Sequence, residues 1–260
     1  MLIFCIPLRS KEVSKDWNKV SLLFNRTLES VYNQTNPNFK IFVACHQIPN
    51  LNKTYDDRVQ FIIMNIKIPI TYLDMMWDKD TKIYACQKAA RNYLIEQKLE
   101  GCYFMNVDSD DLISNKIADF VANKAKKLVY TSRFGYIYFE GNTYLKKARR
   151  LERTCGSCFV IYLDINQLPY NDEGYLLNNV DKCPFTPHHS DIYHKLVKIK
   201  KWSHGYIPFA TTIYIVNDVN VSNFANHQVG RNRRLEYKLE LRRNISHYEK
   251  EFNIKQNLNP

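Results

Sequence analysis

Glycine is scarce in this chain. Seven glycines occur among 260 residues, where average usage would supply roughly 18. They stand at Gly101, Gly135, Gly141, Gly156, Gly174, Gly205 and Gly230. No pair has the spacing of Gly-x-Gly-x-x-Gly or of Gly-x-x-x-x-Gly-Lys, so the dinucleotide loop and the phosphate loop are both excluded. A nucleotide bound here would not have its phosphates cradled by glycine-loop amides. Long apolar runs are missing too: none approaches the ~18 residues of a membrane span. The opening MLIFCIPLRS has no basic leader and is cut by a proline, which predicts a first strand and not a signal peptide. Repeats and low-complexity linkers are also absent.

Acidic residues are in the minority, 26 against 37 Lys plus Arg, for a net charge of +11. That balance favours an anionic partner: a nucleotide, a nucleic acid or an acidic membrane surface. Hydrophobic residues make up 45% and charged residues 24%, the composition of a folded chain able to bury one core, with or without a subdomain. The cysteines Cys5, Cys45, Cys86, Cys102, Cys155, Cys158 and Cys183 are odd in number and irregularly spaced. Most lie in apolar runs, as reduced, buried thiols of a cytoplasmic protein would. Cys155-Gly-Ser-Cys158 has the redox spacing, but a zinc site would need two more ligands at matching spacing, and none is evident.

The first 130 residues alternate between two periodicities. Leu2 to Pro7, Phe39 to Cys45, Phe61 to Met64 and Cys102 to Val107 are short apolar runs, expected as buried strands. Residues 16–35, 80–98 and 115–127 carry apolar stripes at helical spacing. Strand and helix in alternation predict an α/β fold, a mostly parallel sheet with helices on both faces. Ligands on such sheets bind beyond the carboxyl ends of the strands. Arg9-Ser10, His46-Gln47 and Asp108-Ser109-Asp110 all fall at such ends, so they are expected in one crevice. Residues 129–215 are richer in aromatics, with short strands at Val129–Thr131, Tyr136–Phe139 and Phe159–Leu163 and a helix beginning near His189.

Asp108 and Asp110 follow the apolar run Phe104-Met105-Asn106-Val107. Residues two apart at a strand end point to one side. Two carboxylates there make a hard oxygen site suited to Mg²⁺ or Mn²⁺, with water or phosphate completing the shell. A calcium loop counted from Asp108 would need glycine at Ile113 and glutamate at Asp119, so that site is excluded. Helix capping accounts for Asp111 or Ser114 but not for two further acids at the tip of a buried strand.

The stretch FMNVDSDD, following a short N-terminal strand that ends in proline, resembles the signature of GT-A fold glycosyltransferases of the large inverting family two. LESVYNQT followed by NFKI resembles that family's passage from first helix to second strand. IPLRSKEVSKDW, CGSC, PFATTIYIV and NVSNFANH resemble members from bacterial surface-polysaccharide pathways. The match is strong over residues 1–115 and looser beyond. It implies a Rossmann-like α/β/α sandwich with a donor-binding half over 1–115 and an acceptor-binding half over 116–230 of the same domain. A basic helical tail would follow over 231–260.

The resemblance also implies roles. Asp108 and Asp110 would hold Mn²⁺ or Mg²⁺ on the diphosphate of a nucleotide sugar, with a UDP-sugar foremost. Pro7 and Arg9 would contact the nucleotide in the loop after the first strand, and His46 would lie near the base, where members often have Asp. Lys82 matches a basic residue facing the diphosphate; alternatively it lies on a solvated helix face. Asp191, in PHHSDIYHK, matches the general base that deprotonates the acceptor hydroxyl; alternatively it caps its helix. Asp172 and Glu173 stand in reserve, and His188 and His189 are candidates for orienting the acceptor or contacting diphosphate. His227 is a candidate third metal ligand, and Gly156 with Ser157 would let the donor sugar approach the backbone. Trp202, Gly205 and Tyr206 either wall the acceptor site or pack in the core.

Residues 231–255 combine eight Lys/Arg with four Glu and no clean apolar stripe. They form either a solvated helix or an electrostatic contact with the anionic inner membrane leaflet, where a glycan or lipid-linked acceptor would reside. Two other functions remain open. A nucleic-acid-binding protein would interleave its tyrosines with basic residues on one sheet face, but the 18 tyrosines are scattered. A nucleotidyltransferase also uses paired acids with a metal, but would carry a glycine-rich motif after the first strand.

Overall fold

The computed structural model describes residues 1–171, 189–217 and 242–254. The chain builds one large sheet and one small one. The large sheet has seven strands in the order β10-β6-β9-β4-β1-β2-β3. These are β1 (Leu2–Pro7), β2 (Phe39–Cys45), β3 (Val59–Ile63), β4 (Gly101–Asn106), β6 (Val129–Ser132), β9 (Phe159–Asp164) and β10 (His204–Ile207). All run parallel except β9, which is antiparallel to both β4 and β6. The expected mostly parallel sheet flanked by helices is therefore present.

Burial on both faces explains the unbroken apolar runs. Along β1, Leu2, Phe4 and Ile6 pack on α1 (Trp17–Tyr32) and α3 (Ile117–Asn123), while Ile3 and Cys5 pack on α2 (Tyr72–Glu96). The same alternation holds in β2, with Ile41 and Val43 on one side and Phe42 and Ala44 on the other. Each such side chain, fully buried, contributes roughly 1.5–3 kcal/mol. Asp16 caps α1 by accepting from Lys19 N, and Asn36-Pro37-Asn38 separates its end from β2.

The second helix starts earlier than its apolar stripe predicts, at Tyr72 instead of residue 80. A capping box sets this start. Asp74 N donates to Thr71 Oγ1 at 3.1 Å, and Thr71 N donates to Asp74 Oδ2 at 2.8 Å. The early start places Asp78 and Lys79 on the helix, one turn or less before Lys82.

The small sheet has the order β12-β8-β7-β11-β5. Its strands are β5 (Leu112–Ile113), β7 (Phe134–Phe139), β8 (Tyr144–Arg149), β11 (Thr212–Val216) and β12 (Arg242–Asn244). It draws on all three of the expected parts of the chain. The helical reading of the basic tail is corrected in its described portion. Arg242 and Arg243 lie in β12, paired antiparallel with Lys146 and Leu145. The following short helix, Glu249–Phe252, is docked on the core: Phe252 is fully buried beside Leu23 and Leu112. Glu251 Oε1 accepts from Ser114 Oγ at 2.7 Å, and Glu251 Oε2 lies 2.7 Å from Lys116 Nζ. Residues 231–241 lie outside the described residues.

Among the described residues no helix is long and apolar enough to cross a membrane. Cys5, Cys45, Cys86, Cys102, Cys155 and Cys158 are buried free thiols, as expected. Cys183 lies outside the described residues.

Candidate functional site

The chain lays down β1, β2 and β3 outward in one direction and then returns to place β4 on the other side of β1. That reversal makes β1 and β4 a topological switch point, where open α/β sheets form their ligand crevice. The register fixes what lines it. Pro7 pairs with Ala44, and Cys5 pairs with Asn106. Two residues beyond those pairs, Arg9 and His46 leave the sheet side by side, and Asp108 leaves beside Pro7. Pro7 itself belongs to β1 and is buried, so it ends the strand instead of lying in the loop after it.

Asp108 and Asp110 stand on the turn that follows β4. Asp111 N donates to Asp108 O at 3.1 Å and closes that turn. Lys79, on α2, places Nζ 2.5 Å from Asp108 Oδ1. Burial acts to lower the Lys79 pKa, but Asp108, with help from Asp110 and Asp111, raises it overall. Asp110 is half-buried, and burial followed by the charge of Asp108 raises its pKa. Asn217, just past β11, donates Nδ2 to Asp110 Oδ2 at 3.4 Å. Burial lowers the Arg9 pKa, and the nearby Asp110 charge opposes that shift. Two carboxylates and two cations thus share the crevice.

Asp111 faces inward. Its Oδ2 accepts from Ser157 Oγ at 2.6 Å and from Cys155 Sγ at 3.1 Å. Its buried Oδ1 has no hydrogen-bond partner among the described residues. Burial raises its pKa well above the usual carboxylate range, and Cys155, Asp110 and Asp108 add to the shift. Asp111 therefore does not cap α3, whose N-cap residue Lys116 makes no side-chain cap bond. Gly156 is half-buried in the turn before β9, between Cys155 and Ser157.

Lys82 is on neither a solvated face nor the open crevice. It is 1% exposed, donating to Asp78 Oδ2 at 2.6 Å and to Leu8 O at 2.8 Å. Asp78 Oδ1 lies 2.8 Å from His46 Nε2. This buried cluster ties the ends of β1 and β2 to α2. Asp78, Lys79, Asn217 and the Asp111–Ser157 contact were not foreseen from sequence. The Thr71-x-x-Asp74 capping signature would have extended the second helix and revealed the first two.

Asp191 is exposed in the first turn of the short helix His189–Tyr193, which buries Ile192 and continues as a π turn over His194–Ile199. Trp202 packs against the main core. A Cβ on Gly205 would come within 2.6 Å of Tyr130 Cε1, so this glycine admits the Tyr130 ring. Tyr206 is 47% exposed, with the Arg133 guanidinium 4.4 Å from its ring centroid. His227, Asp172, Glu173 and His188 lie outside the described residues, as does the side chain of His189. Among the described residues no group of three or more His, Cys, Asp and Glu side chains could hold a metal ion, so the described metal candidates are Asp108 and Asp110.

Among solved structures the chain is similar to a nucleotide-diphospho-sugar transferase-like protein of Desulfovibrio desulfuricans, at 7% identity and a TM-score of 0.37, over 84% of this chain and 81% of that one. It is similar to the inositol-1-phosphate CTP transferase of T. maritima at 13% identity and 0.36, over 84% and 89%. It is also similar to the glycosyltransferase GlyE of Streptococcus pneumoniae at 12% identity and 0.36, over 92% of this chain and 59% of that one. No protein-family model and no curated relative matches the sequence. Likenesses this distant assign no activity.

Proposed function

We propose that the protein is a metal-dependent glycosyltransferase of the GT-A kind. It would move a sugar from a nucleotide-diphosphate donor, a UDP-sugar foremost, to a glycan or lipid-linked acceptor of bacterial surface polysaccharide, with inversion. One observation carries this reading. Asp108 and Asp110 end β4 at the switch point, with Lys79 on one carboxylate and Arg9 near the other.

The residues fit a hard divalent ion. The carboxylates of Asp108 and Asp110, two residues apart on the turn after β4, supply hard oxygen donors, and Asn217 Nδ2 donates to Asp110 Oδ2 and steadies that side chain. Asp108 and Asp110 would hold Mn²⁺ or Mg²⁺, which when bound neutralises the departing nucleoside diphosphate. Arg9 offers that diphosphate a further positive charge. Asp191, exposed at its helix start, would take the proton of the acceptor hydroxyl. His227 remains the candidate third ligand. The enzyme would work in the cytoplasm at the inner face of the membrane, drawn there by its net positive charge.

A panel of nucleotide sugars incubated with Mn²⁺ tests this reading. Nucleoside diphosphate should be released, and Asp110→Ala should abolish release while circular dichroism remains that of a folded chain. Full activity in Asp110→Ala, or pyrophosphate as the product, would refute it; pyrophosphate would mark a nucleotidyltransferase.

A further inference from the structure

Strand β9 runs against its neighbours, so its beginning lies beside the end of β4. The β4–β9 ladder pairs Cys102 with Leu163 and Phe104 with Ile161. Continued past the last pair, the same register brings Asp108 opposite Ser157. The bond at that place is not a ladder bond. Asp108 N donates to Ser157 Oγ at 2.9 Å, where a strand pair would use a carbonyl.

The Ser157 hydroxyl is engaged on its other side as well. It donates its one proton to Asp111 Oδ2 at 2.6 Å, which leaves its lone pairs for the Asp108 amide. Cys155 donates to the same carboxylate oxygen at 3.1 Å. The Asp111 amide in turn donates to Asp108 O at 3.1 Å. One hydroxyl therefore spans the first and last residues of the turn Asp108–Asp111, and the two acidic side chains proposed to hold the ion ride on that turn. Thr212 Oγ1, at the start of β11, donates to Ser157 O and holds the serine backbone. Ser157 and Asp111 are both 0% exposed, so water does not replace these bonds when they break.

We propose that Ser157, oriented by Asp111, is a positioning residue that sets the turn carrying Asp108 and Asp110. Its side chain is fully buried and acts through the turn. It fixes the amide of the first candidate ligand and, through Asp111, the far end of the turn. This deepens the proposed function and rests on its metal reading. Groups that support metal ligands in this way typically govern affinity by about 10- to 100-fold.

The test uses the full chain without donor. Mn²⁺ binding is titrated by electron paramagnetic resonance, and exchange of the Asp108 amide proton is followed by NMR. Ser157→Ala should weaken Mn²⁺ binding about tenfold and speed Asp108 exchange. Ser132→Ala is the matched control for lost stability. Its hydroxyl is also buried and donates to Phe209 O at 2.7 Å, with no bond to the turn residues Asp108–Asp111. It should change neither readout. Asp111→Asn keeps an oxygen to accept from Ser157 and should hold Mn²⁺ affinity within about threefold of the unaltered chain, while Asp111→Ala should match Ser157→Ala. Ser157→Cys, with a weaker acceptor in the same place, is read identically if the alanine chain fails to fold. Unchanged Mn²⁺ affinity and unchanged Asp108 exchange in Ser157→Ala would overturn the positioning role while leaving the metal reading intact. Failure of the unaltered chain to bind Mn²⁺ would overturn the metal reading, and amide exchange would still decide whether Ser157 holds the turn.

Discussion

Lys79 Nζ lies 2.5 Å from Asp108 Oδ1, so one oxygen of the first acidic side chain is already paired with a positive charge. Lys79 is 37% exposed and Asp108 25%, which gives the pair ordinary solvent-screened strength, ~0.5–1 kcal/mol. An ion held at Asp108 as proposed would compete with that lysine. Lys79→Met should therefore tighten Mn²⁺ binding in the absence of donor by about two- to fivefold, the equivalent of that energy. The same change should weaken binding of nucleoside diphosphate with Mn²⁺ present. Isothermal titration of both ligands checks the pair of opposite signs, and a loss in both would show that Lys79 shapes the site.

The buried cluster of Asp78, Lys82 and His46 bears on stability. Removing one partner of a buried ion pair leaves a charge without compensation and costs ~3–5 kcal/mol. Lys82→Ala should therefore lower the urea midpoint strongly. Asp78→Leu combined with Lys82→Met should cost clearly less than Lys82→Ala, because neither buried charge remains. Equal losses in the two chains would argue that packing, and not charge, holds the ends of β1 and β2 to α2.

Asp80 supplies a pH dependence. Burial raises its pKa to about 6, against a smaller opposing pull from Lys79. The folded chain thus binds this proton more tightly than the unfolded chain, whose aspartates titrate near ~3.9. The folded state therefore loses stability through this group as pH rises from about 4 to about 6, and the penalty is complete above that window. Asp80→Asn removes it. The variant should match the unaltered chain in thermal midpoint below pH 4 and exceed it above pH 6. A difference that is constant across pH would exclude the titration.

Two glycines should respond to alanine for different reasons. A Cβ on Gly101 would lie 2.4 Å from Leu163 O and 2.9 Å from Asp164 Cα, both backbone atoms of the paired strand β9. Gly101→Ala must push β4 and β9 apart, at a cost of ~1–3 kcal/mol. Gly141 has open space around it but a φ of +89°, so Gly141→Ala meets only backbone strain, ~1 kcal/mol. Denaturation midpoints should rank Gly101→Ala below Gly141→Ala.

The alternation of strand and helix was readable in the sequence because β1 and β2 are buried on both faces and run without a polar break. The crevice followed from the same pattern, since Arg9, His46 and Asp108 sit just beyond strand ends. The start of α2 was hidden because its first turns are not one-sided. Leu73 is 77% exposed and Trp77 38%, which blurs the stripe. The small sheet was hidden for another reason. Its strands are short, β8 reads YLKKAR, and β12 reads RRN. Only their mutual pairing makes them strands, and pairing between distant segments leaves no local periodicity. Lys82 shows the same limit within one helix. Its position on α2 was readable, but its partner Leu8 O is a backbone atom that no side-chain pattern marks.

The reversed direction of β9 bears on how the molecule matures during synthesis. The acidic turn leaves the ribosome well before the residues that steady it. Ser157 comes later, and Asn217, which bonds Asp110, later still. A growing chain that has completed β1 to β4 exposes Asp108, Asp110 and Asp111 without their stays. The turn is thereby completed only when the chain as far as Asn217 has folded back onto it, so the charged loop is the last part of the crevice to gain its bonds.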